Sequence, residues 1–133
     1  VEEWANVALE LRNTYGIKRF FCDPSEPDFI KAFNEKGCRA EGANNEVIAG
    51  IQKVKNRLVR RPDGKPGILF APDFAWTFSE FDQYQWRAAS HTAGFRDEPV
   101  KANDHTMDPI RYVIMGVDAD TRKPLTVGAS RYA

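Results

Sequence analysis

The order of apolar patterns along the chain constrains its fold more than any other feature. Stripes with a helical period alternate with short apolar runs, in the order helix, strand, helix, strand, helix, strand, helix, helix. The predicted strands cover residues 17–22, 38–43 and 68–71. Strands that alternate with helices predict a parallel or mixed sheet covered by helices, which is an α/β fold. The 133 residues are enough for a single domain, residues 1–133.

Start and stop signals place the helices between these strands. The first helix is predicted over residues 2–15 and ends at Gly16, a residue type that commonly closes helices. Because no strand pattern precedes this helix, we expect the domain to lack its opening strands. Thr77 and Glu80 have the spacing of a capping box, which predicts that a later helix begins at Thr77. Four aromatic residues near this helix are expected in the core: Trp76, Phe78, Tyr84 and Trp86.

The last helix is predicted to begin with Asp108 as its N-cap. Pro109 favours this start, because a proline lacks an N–H and belongs in the first turn of a helix. The sequence after Gly116 is polar, and we expect residues 117–133 to form a loosely held tail.

Charge and hydropathy argue against two broad classes of function. The formal net charge is +0, so no overall field draws the chain to nucleic acid, and binding there would need a local basic face. No apolar run approaches the roughly 18 residues of a membrane span, so we expect no membrane contact.

Two acidic segments that are far apart in the sequence are candidates for one site. Asp23 directly follows the strand 17–22, and functional groups gather beyond the carboxyl ends of strands in such sheets. Asp104, His105 and Asp108 lie together at the start of the last helix, where positions 104 and 108 can share a face. Read alone, Asp23 is also typical of a turn and Asp108 of a helix cap. Read together, the two segments predict a shared site.

The donor atoms of these side chains indicate a metal ion. Carboxylates select Mg²⁺ or Mn²⁺, and an added imidazole favours Mn²⁺ or another transition metal. We therefore predict Asp23, His105 and Asp108 as ligands, with Asp104 as an alternate ligand. Two such ions about 4 Å apart can activate water and stabilise the leaving oxygen in phosphodiester cleavage.

A basic pattern on the central helix suggests contact with DNA. Lys53, Arg57 and Arg60 recur at i, i+4 and i+7, and Arg61 extends this face into the following turn. Lys101 precedes the acidic segment and is a further candidate for phosphate contact. A solvated helix face without a ligand explains the same pattern equally well, because the chain has no net charge.

Four stretches of the chain occur in the order of a known family's motifs. They are "FFCDPSEPDFIKAFNEKG", "NNEVIAGIQKVKNRL", "TFSEFDQYQW" and "PVKANDHTMDPIRYVIMG". Over residues 17–116 they resemble the C-terminal nuclease domain of tailed-phage large terminase subunits. The resemblance implies an RNase H-like fold, with a mixed sheet flanked by helices. It also implies a divalent-metal-dependent endonuclease that cuts concatemeric viral DNA, here by two-metal hydrolysis.

The resemblance also assigns roles by position. Asp23 resembles the second acidic ligand and Asp108 the final one, so both would be catalytic, while His105 matches a position that faces the metals in some members. Asp104 matches a position whose role varies, which leaves it as an alternate ligand or a neighbour of the ligands. The family's first metal-binding Asp lies on an opening strand that has no counterpart here. We therefore expect the 133-residue chain by itself to be inactive.

The partners implied by the resemblance are double-stranded DNA, an upstream ATPase domain, the portal and the small terminase subunit, in the cytoplasm of the host cell. Two alternatives stay open at this point. One is a non-catalytic prophage remnant, or a module that keeps the fold and contacts DNA or the motor without cleavage. The other is a different RNase H-like enzyme, such as a resolvase.

Overall fold

The computed structural model describes residues 1–86 and 98–121 of the chain. These residues form five helices and two strands in an α/β arrangement, which confirms the predicted fold class. In chain order the elements are α1 (Glu2–Tyr15), β1 (Phe20–Cys22), α2 (Pro27–Glu35), β2 (Ala40–Gly42), α3 (Val47–Leu58), α4 (Ala75–Gln83) and α5 (Met107–Thr121).

The two strands form a parallel pair, as the strand–helix–strand order requires. Phe20 pairs with Ala40 and Cys22 with Gly42, so the carboxyl ends of both strands lie at the same edge. Helix α2 provides the crossover, and Pro27 occupies its first turn, where a missing N–H costs nothing. Asp23 directly follows β1, so it lies at the edge of the sheet that the sequence pattern predicts.

Helix α5 is the central packing element of the described residues. It packs against β1, α3 and α4, and its buried apolar residues include Met107, Ile114 and Met115. At Gly116 the helix lies against the ring of Phe21: a Cβ added there would lie 2.9 Å from Phe21 Cδ1 and closer still to two other ring carbons. The absence of a side chain at Gly116 thus allows α5 to approach β1, which brings the start of α5 near Asp23.

Helix α1 begins and ends where the sequence predicts. Gly16 closes it in the left-handed conformation, with φ of 67°, and its N–H donates to the carbonyl of Arg12. The small residues Ala5 and Ala8 are the buried ones, whereas Trp4 is 61% exposed and Tyr15 is 74% exposed. The large apolar residues of this helix therefore contribute little to the core of the described residues.

The predicted third strand is wrong. Residues 68–71 have no strand conformation, and β1 and β2 are the strands of the described residues. Leu69 is 83% exposed, while Phe70 packs edge-to-face on Phe78 and Phe81 of α4. A four-residue apolar run is too short to distinguish a strand from an irregular segment that anchors one ring.

The prediction of a capping box at Thr77 and Glu80 is also wrong. Helix α4 begins at Ala75, so Thr77 lies inside it, and Glu80 bonds to a different segment of the chain. Trp76 is 70% exposed, Trp86 is 45% exposed and Phe78 is 41% exposed, so these three aromatic residues are not in the core of the described residues. Helical spacing indicates which residues share a face, but it does not show that another element covers that face.

Helix α5 departs from prediction at both ends. It begins at Met107, so Asp108 lies in its first turn and is not the N-cap. It continues past Gly116 to Thr121, so residues 117–121 belong to the helix and not to the predicted tail. Asp118 and Asp120 form ion pairs with Arg57 and Arg19, which hold this end of the helix to α3 and to the start of β1. Residues 122–133 lie outside the described residues, as do residues 88–97 of the predicted loop.

None of the helices in the described ranges is long and apolar enough to cross a membrane.

Candidate functional site

A cleft of about 320 Å³ lies between the carboxyl end of β1 and the start of α5. The residues that line it are Phe21, Asp23, Asp104, His105, Asp108, Pro109 and Tyr112. Asp23 belongs to a segment that is distant in sequence from the three residues on the α5 side. The structure therefore brings together all four residues that were predicted as metal ligands.

Asp23 is held at the mouth of this cleft by the turn that follows β1. Its Oδ1 accepts hydrogen bonds from the Ser25 amide at 2.9 Å and from the Ser25 hydroxyl at 2.7 Å. Its Oδ2 lies 3.5 Å from the hydroxyl of Tyr112. The bonds from Ser25 lower the pKa of Asp23, with smaller contributions from Tyr112 and from the charge of Lys101. Asp23 is thus an ionised carboxylate with one oxygen fixed by the turn and the other directed towards α5.

Asp108 is paired with two cations that differ in exposure. Its Oδ1 lies 2.6 Å from Nη2 of Arg111, whose side chain is 2% exposed. Its Oδ2 lies 3.3 Å from Nζ of Lys101, whose side chain is 62% exposed. Arg111 is therefore paired with a carboxylate inside the fold.

Lys101 lies among the carboxylates of the cleft. Besides Asp108, its ammonium group lies 3.8 Å from Oδ2 of Asp104, and its charge lowers the pKa of Asp23. Its position is that of a counter-ion for the acidic residues, which is a different role from the predicted DNA contact. His105 is exposed at the edge of the same cleft.

The chemistry of the donor set suits a hard divalent cation, because it offers three carboxylates and an imidazole. Yet in residues 1–86 and 98–121 no group of three or more His, Cys, Asp or Glu side chains lies close enough to hold one metal ion. The four candidates share a cleft without converging on a point. Binding of an ion there requires movement of side chains, and Asp23, Lys101 and His105 are exposed.

A fourth acidic residue, Glu80 of α4, contacts the segment of residues 105–106 from the side opposite the cleft. It is 3% exposed, and its carboxylate accepts from the backbone amides of His105 at 3.1 Å and Thr106 at 2.6 Å. Burial raises the pKa of Glu80, but the bonds from Thr106, Trp76 and His105 outweigh it, so the pKa lies below its usual value. The local motif indicated that Glu80 caps its own helix, and it gave no sign of this contact.

The basic residues predicted to contact DNA are not brought together as one free face. Lys53 lies 3.3 Å from Asp118, and Arg57 is paired with the same carboxylate while donating to the carbonyl of Gly67 at 3.2 Å. Helix α3 ends at Leu58, so Arg60 lies beyond it and not on its face. Arg60 and Arg61 are exposed, and Arg61 lies 3.7 Å from Asp63 across the turn. Asp118, which no motif singled out, neutralises part of the predicted basic face.

Comparison with solved structures gives an informative match. The chain is similar to the large terminase of a thermophilic bacteriophage, solved in complex with ATP-γ-S, with 30% sequence identity and a TM-score of 0.69. The match covers 86% of this chain and 28% of the terminase chain, so the similarity concerns a part of that protein. No protein-family model matches the chain. The resemblance to large terminases is thus confirmed, while the nuclease domain and the RNase H-like fold stay predictions.

Proposed function

We propose that this chain is the nuclease segment of a phage DNA-packaging terminase large subunit, with an RNase H-like fold. Its reaction would be metal-dependent cleavage of concatemeric double-stranded DNA. Similarity to a phage large terminase supports a terminase-related role. The observation that carries the nuclease assignment is the shared cleft, in which Asp23 from the end of β1 meets Asp104, His105 and Asp108 from the start of α5.

In this proposal Asp23 and Asp108 are catalytic ligands of Mg²⁺ or Mn²⁺, and His105 and Asp104 line the same cleft as additional donors. A pair of bound divalent ions would activate water and stabilise the leaving oxygen of the phosphodiester. The chain's own contribution is to hold the carboxylates at fixed positions: Ser25 fixes Asp23, and Arg111 fixes Asp108. The partners would be double-stranded DNA, an ATPase domain, the portal and the small terminase subunit.

The metal test uses Mn²⁺, which broadens NMR signals of nearby amides because it is paramagnetic. In the ¹⁵N-labelled chain, Mn²⁺ should selectively broaden the amides around Asp23 and Asp108. Asp23→Asn and Asp108→Asn should each weaken this effect at least tenfold, with melting temperatures within a few degrees of the unaltered chain. Asp28→Asn, an exposed carboxylate at the start of α2, is the matched control. Broadening that is uniform over the surface, or insensitive to both variants, would refute the site.

Cleavage is tested separately by nicking of supercoiled plasmid in millimolar Mn²⁺. The 133-residue chain should bind Mn²⁺ weakly and should not nick, because no three candidate ligands of the described residues converge on one point. A large terminase subunit that contains this segment together with an ATPase domain should nick, and Asp23→Asn in that protein should abolish nicking while DNA binding is retained. If that protein carrying Asp23→Asn nicks normally, Asp23 is not a catalytic ligand.

One observation favours a second function, a non-catalytic module with the same fold. Lys101 lies between Asp104 and Asp108, and no three candidate ligands of the described residues converge on one point. A module of this kind would keep its acidic residues neutralised by its own cations and would contact DNA or the motor without cleavage. It predicts no site-specific Mn²⁺ broadening and no nicking by a large terminase subunit that contains this segment. The nuclease predicts site-specific broadening and nicking.

A further inference from the structure

We propose that Glu80 is a positioning residue that holds residues 104–108 in place, so that the carboxylates of Asp104 and Asp108 face the cleft. The role of that segment as a metal ligand rests on the function proposed above. The contacts of Glu80 with that segment do not depend on the proposed function, so they can be tested without a metal ion.

Every oxygen of the Glu80 carboxylate is engaged. Oε1 accepts from the amide of His105 at 3.1 Å and from the indole N–H of Trp76 at 2.7 Å. Oε2 accepts from the amide of Thr106 at 2.6 Å and from its hydroxyl at 2.5 Å. A buried carboxylate with four donors has little capacity left for a metal ion. Glu80 is therefore not the missing ligand of the acidic site.

The position of these donors explains what the contact achieves. Helix α5 begins at Met107, so the amides of His105 and Thr106 lie just before its first turn, where N–H groups lack partners within the helix. A negative charge is also favoured at this end of a helix dipole. Glu80 supplies both the acceptors and the charge from α4, a neighbouring element in the fold.

This arrangement frees the acidic residues that would ordinarily cap such a helix. An aspartate near a helix start normally accepts from the first amides with its own side chain. Here the contacts described for Asp104 and Asp108 are with Lys101 and, for Asp108, also with Arg111. Because Glu80 takes over the capping role, both aspartates can turn their oxygens into the cleft.

A second contact ties the same segment to α4. Asn103 has a positive φ of 52°, a backbone conformation in which asparagine is enriched, and its side-chain Nδ2 donates to Oε1 of Gln83 at 2.9 Å. Glu80 and Gln83 lie three residues apart on one side of α4, so both hold the chain as it enters α5. The start of α5 is thus fixed by α4 at two points, with Glu80 as the buried one.

The test compares Glu80→Gln with Asp82→Asn in the ¹⁵N-labelled chain. Both variants remove one carboxylate from α4, but Asp82 is exposed. Glutamine keeps one acceptor and places an NH₂ group against an N–H donor, so it cannot reproduce the four bonds. Amide hydrogen exchange should accelerate at least tenfold at His105 and Thr106 in Glu80→Gln, while amides in α1 and α2 keep their rates. Asp82→Asn should leave all of these rates unchanged.

Mn²⁺ broadening provides the functional readout. Glu80→Gln should weaken Mn²⁺ binding about tenfold with the broadened amides still centred on Asp23 and Asp108, whereas Asp82→Asn should change it less than twofold. Unchanged exchange at His105 and Thr106, or Mn²⁺ affinity equal to that of the unaltered chain, would overturn the proposal. If the unaltered chain itself binds no Mn²⁺, the metal function fails, and the exchange data still decide whether Glu80 fixes the segment.

A milder variant guards against loss of folding. Thr106→Val removes the hydroxyl bond to Glu80 and keeps the amide bond. It should give a smaller acceleration of exchange at the same two amides and about a threefold loss of Mn²⁺ affinity. If Glu80→Gln unfolds the chain and Thr106→Val changes neither quantity, the role of Glu80 is overall stability and the proposal is wrong.

Discussion

Replacing Lys101 with methionine should strengthen binding of a divalent cation, although it removes a contact. The ammonium group of Lys101 lies 3.3 Å from Asp108 Oδ2 and 3.8 Å from Asp104 Oδ2, in the region that a metal ion bound to these carboxylates would enter. A metal ion must displace this charge or share the carboxylates with it. Methionine keeps most of the length of the side chain and removes the charge.

The size of the effect follows from the distances and from the exposure of Lys101. Two unit charges at about 4 Å attract by ~1 kcal/mol in water and by ~4 kcal/mol at an effective dielectric constant of about 20. Lys101 is 62% exposed, so the lower value applies. An energy of ~1 kcal/mol corresponds to about a fivefold change in affinity. We therefore expect Lys101→Met to tighten Mn²⁺ binding about fivefold, with less gain at high salt because screening weakens the competing charge.

The assay is Mn²⁺ titration of the ¹⁵N-labelled chain at low and at high salt, with melting temperatures measured in parallel. Lys65→Met, which removes an exposed lysine in the turn after α3, is the control and should leave the affinity unchanged. Stability should change little, because exposed ion pairs contribute about 0–1 kcal/mol. Weaker binding in Lys101→Met would refute the competition argument. It would mean that Lys101 draws the two aspartates together and thereby helps to form the site.

Three further predictions concern the packing and charges around α5. Gly116→Ala should lower the free energy of unfolding in urea by up to ~2 kcal/mol, because overpacking against Phe21 costs ~1–3 kcal/mol and opposes a helix-propensity gain of ~1 kcal/mol. A higher melting temperature would show that the ring moves freely. Asp118→Asn should free Lys53 and Arg57, raise DNA affinity several-fold and steepen its salt dependence; unchanged affinity would favour a solvated face. Burial raises the pKa of Asp118, but the bonds and charges of Arg57 and Lys53 lower it by more, so the folded pKa lies below the unfolded value of about 3.9. The stability that these ion pairs contribute is therefore present above the unfolded pKa and is lost as the pH falls through the folded pKa. The stability difference between Asp118→Asn and the unaltered chain, measured by urea unfolding, should therefore shrink below about pH 4; a constant difference would contradict this reasoning.

The sequence predicted those parts of the fold that depend on local pattern. Helix α1 and its closing Gly16, the parallel order of β1 and β2, and the position of Asp23 at the strand end all follow from periodicity, turn residues and connection rules. The meeting of Asp23 with residues 104–108 was predicted from the rule that groups gather beyond the carboxyl ends of strands. In each case the information lies within a few residues of the element concerned or in the order of elements.

The sequence could not predict contacts that depend on how elements pack. Glu80 matched a local capping motif, but its partners lie 25 and 26 residues further along the chain. Asp118 lay in a polar segment that looked like a tail, yet it pairs with Arg57, 61 residues away, and this end of the helix stays folded. A motif shows which bonds a side chain can make, and tertiary packing decides which of the competing partners it takes.

The two cations around Asp108 suggest which of its oxygens a metal ion would use. Arg111 is 2% exposed and held against Oδ1, and two of its nitrogens, Nε and Nη1, are buried without a hydrogen-bond acceptor in the described part of the chain. Moving it out would leave Asp108 beside a void and would expose a gap next to Gly50, whose added Cβ would lie 3.1 Å from Arg111 Cδ. Lys101 can withdraw into water at little cost, because most of its side chain is already there. A divalent ion should therefore replace Lys101 at Oδ2 and leave Arg111 at Oδ1, so that the buried cation orients the ligand while the exposed one is exchanged.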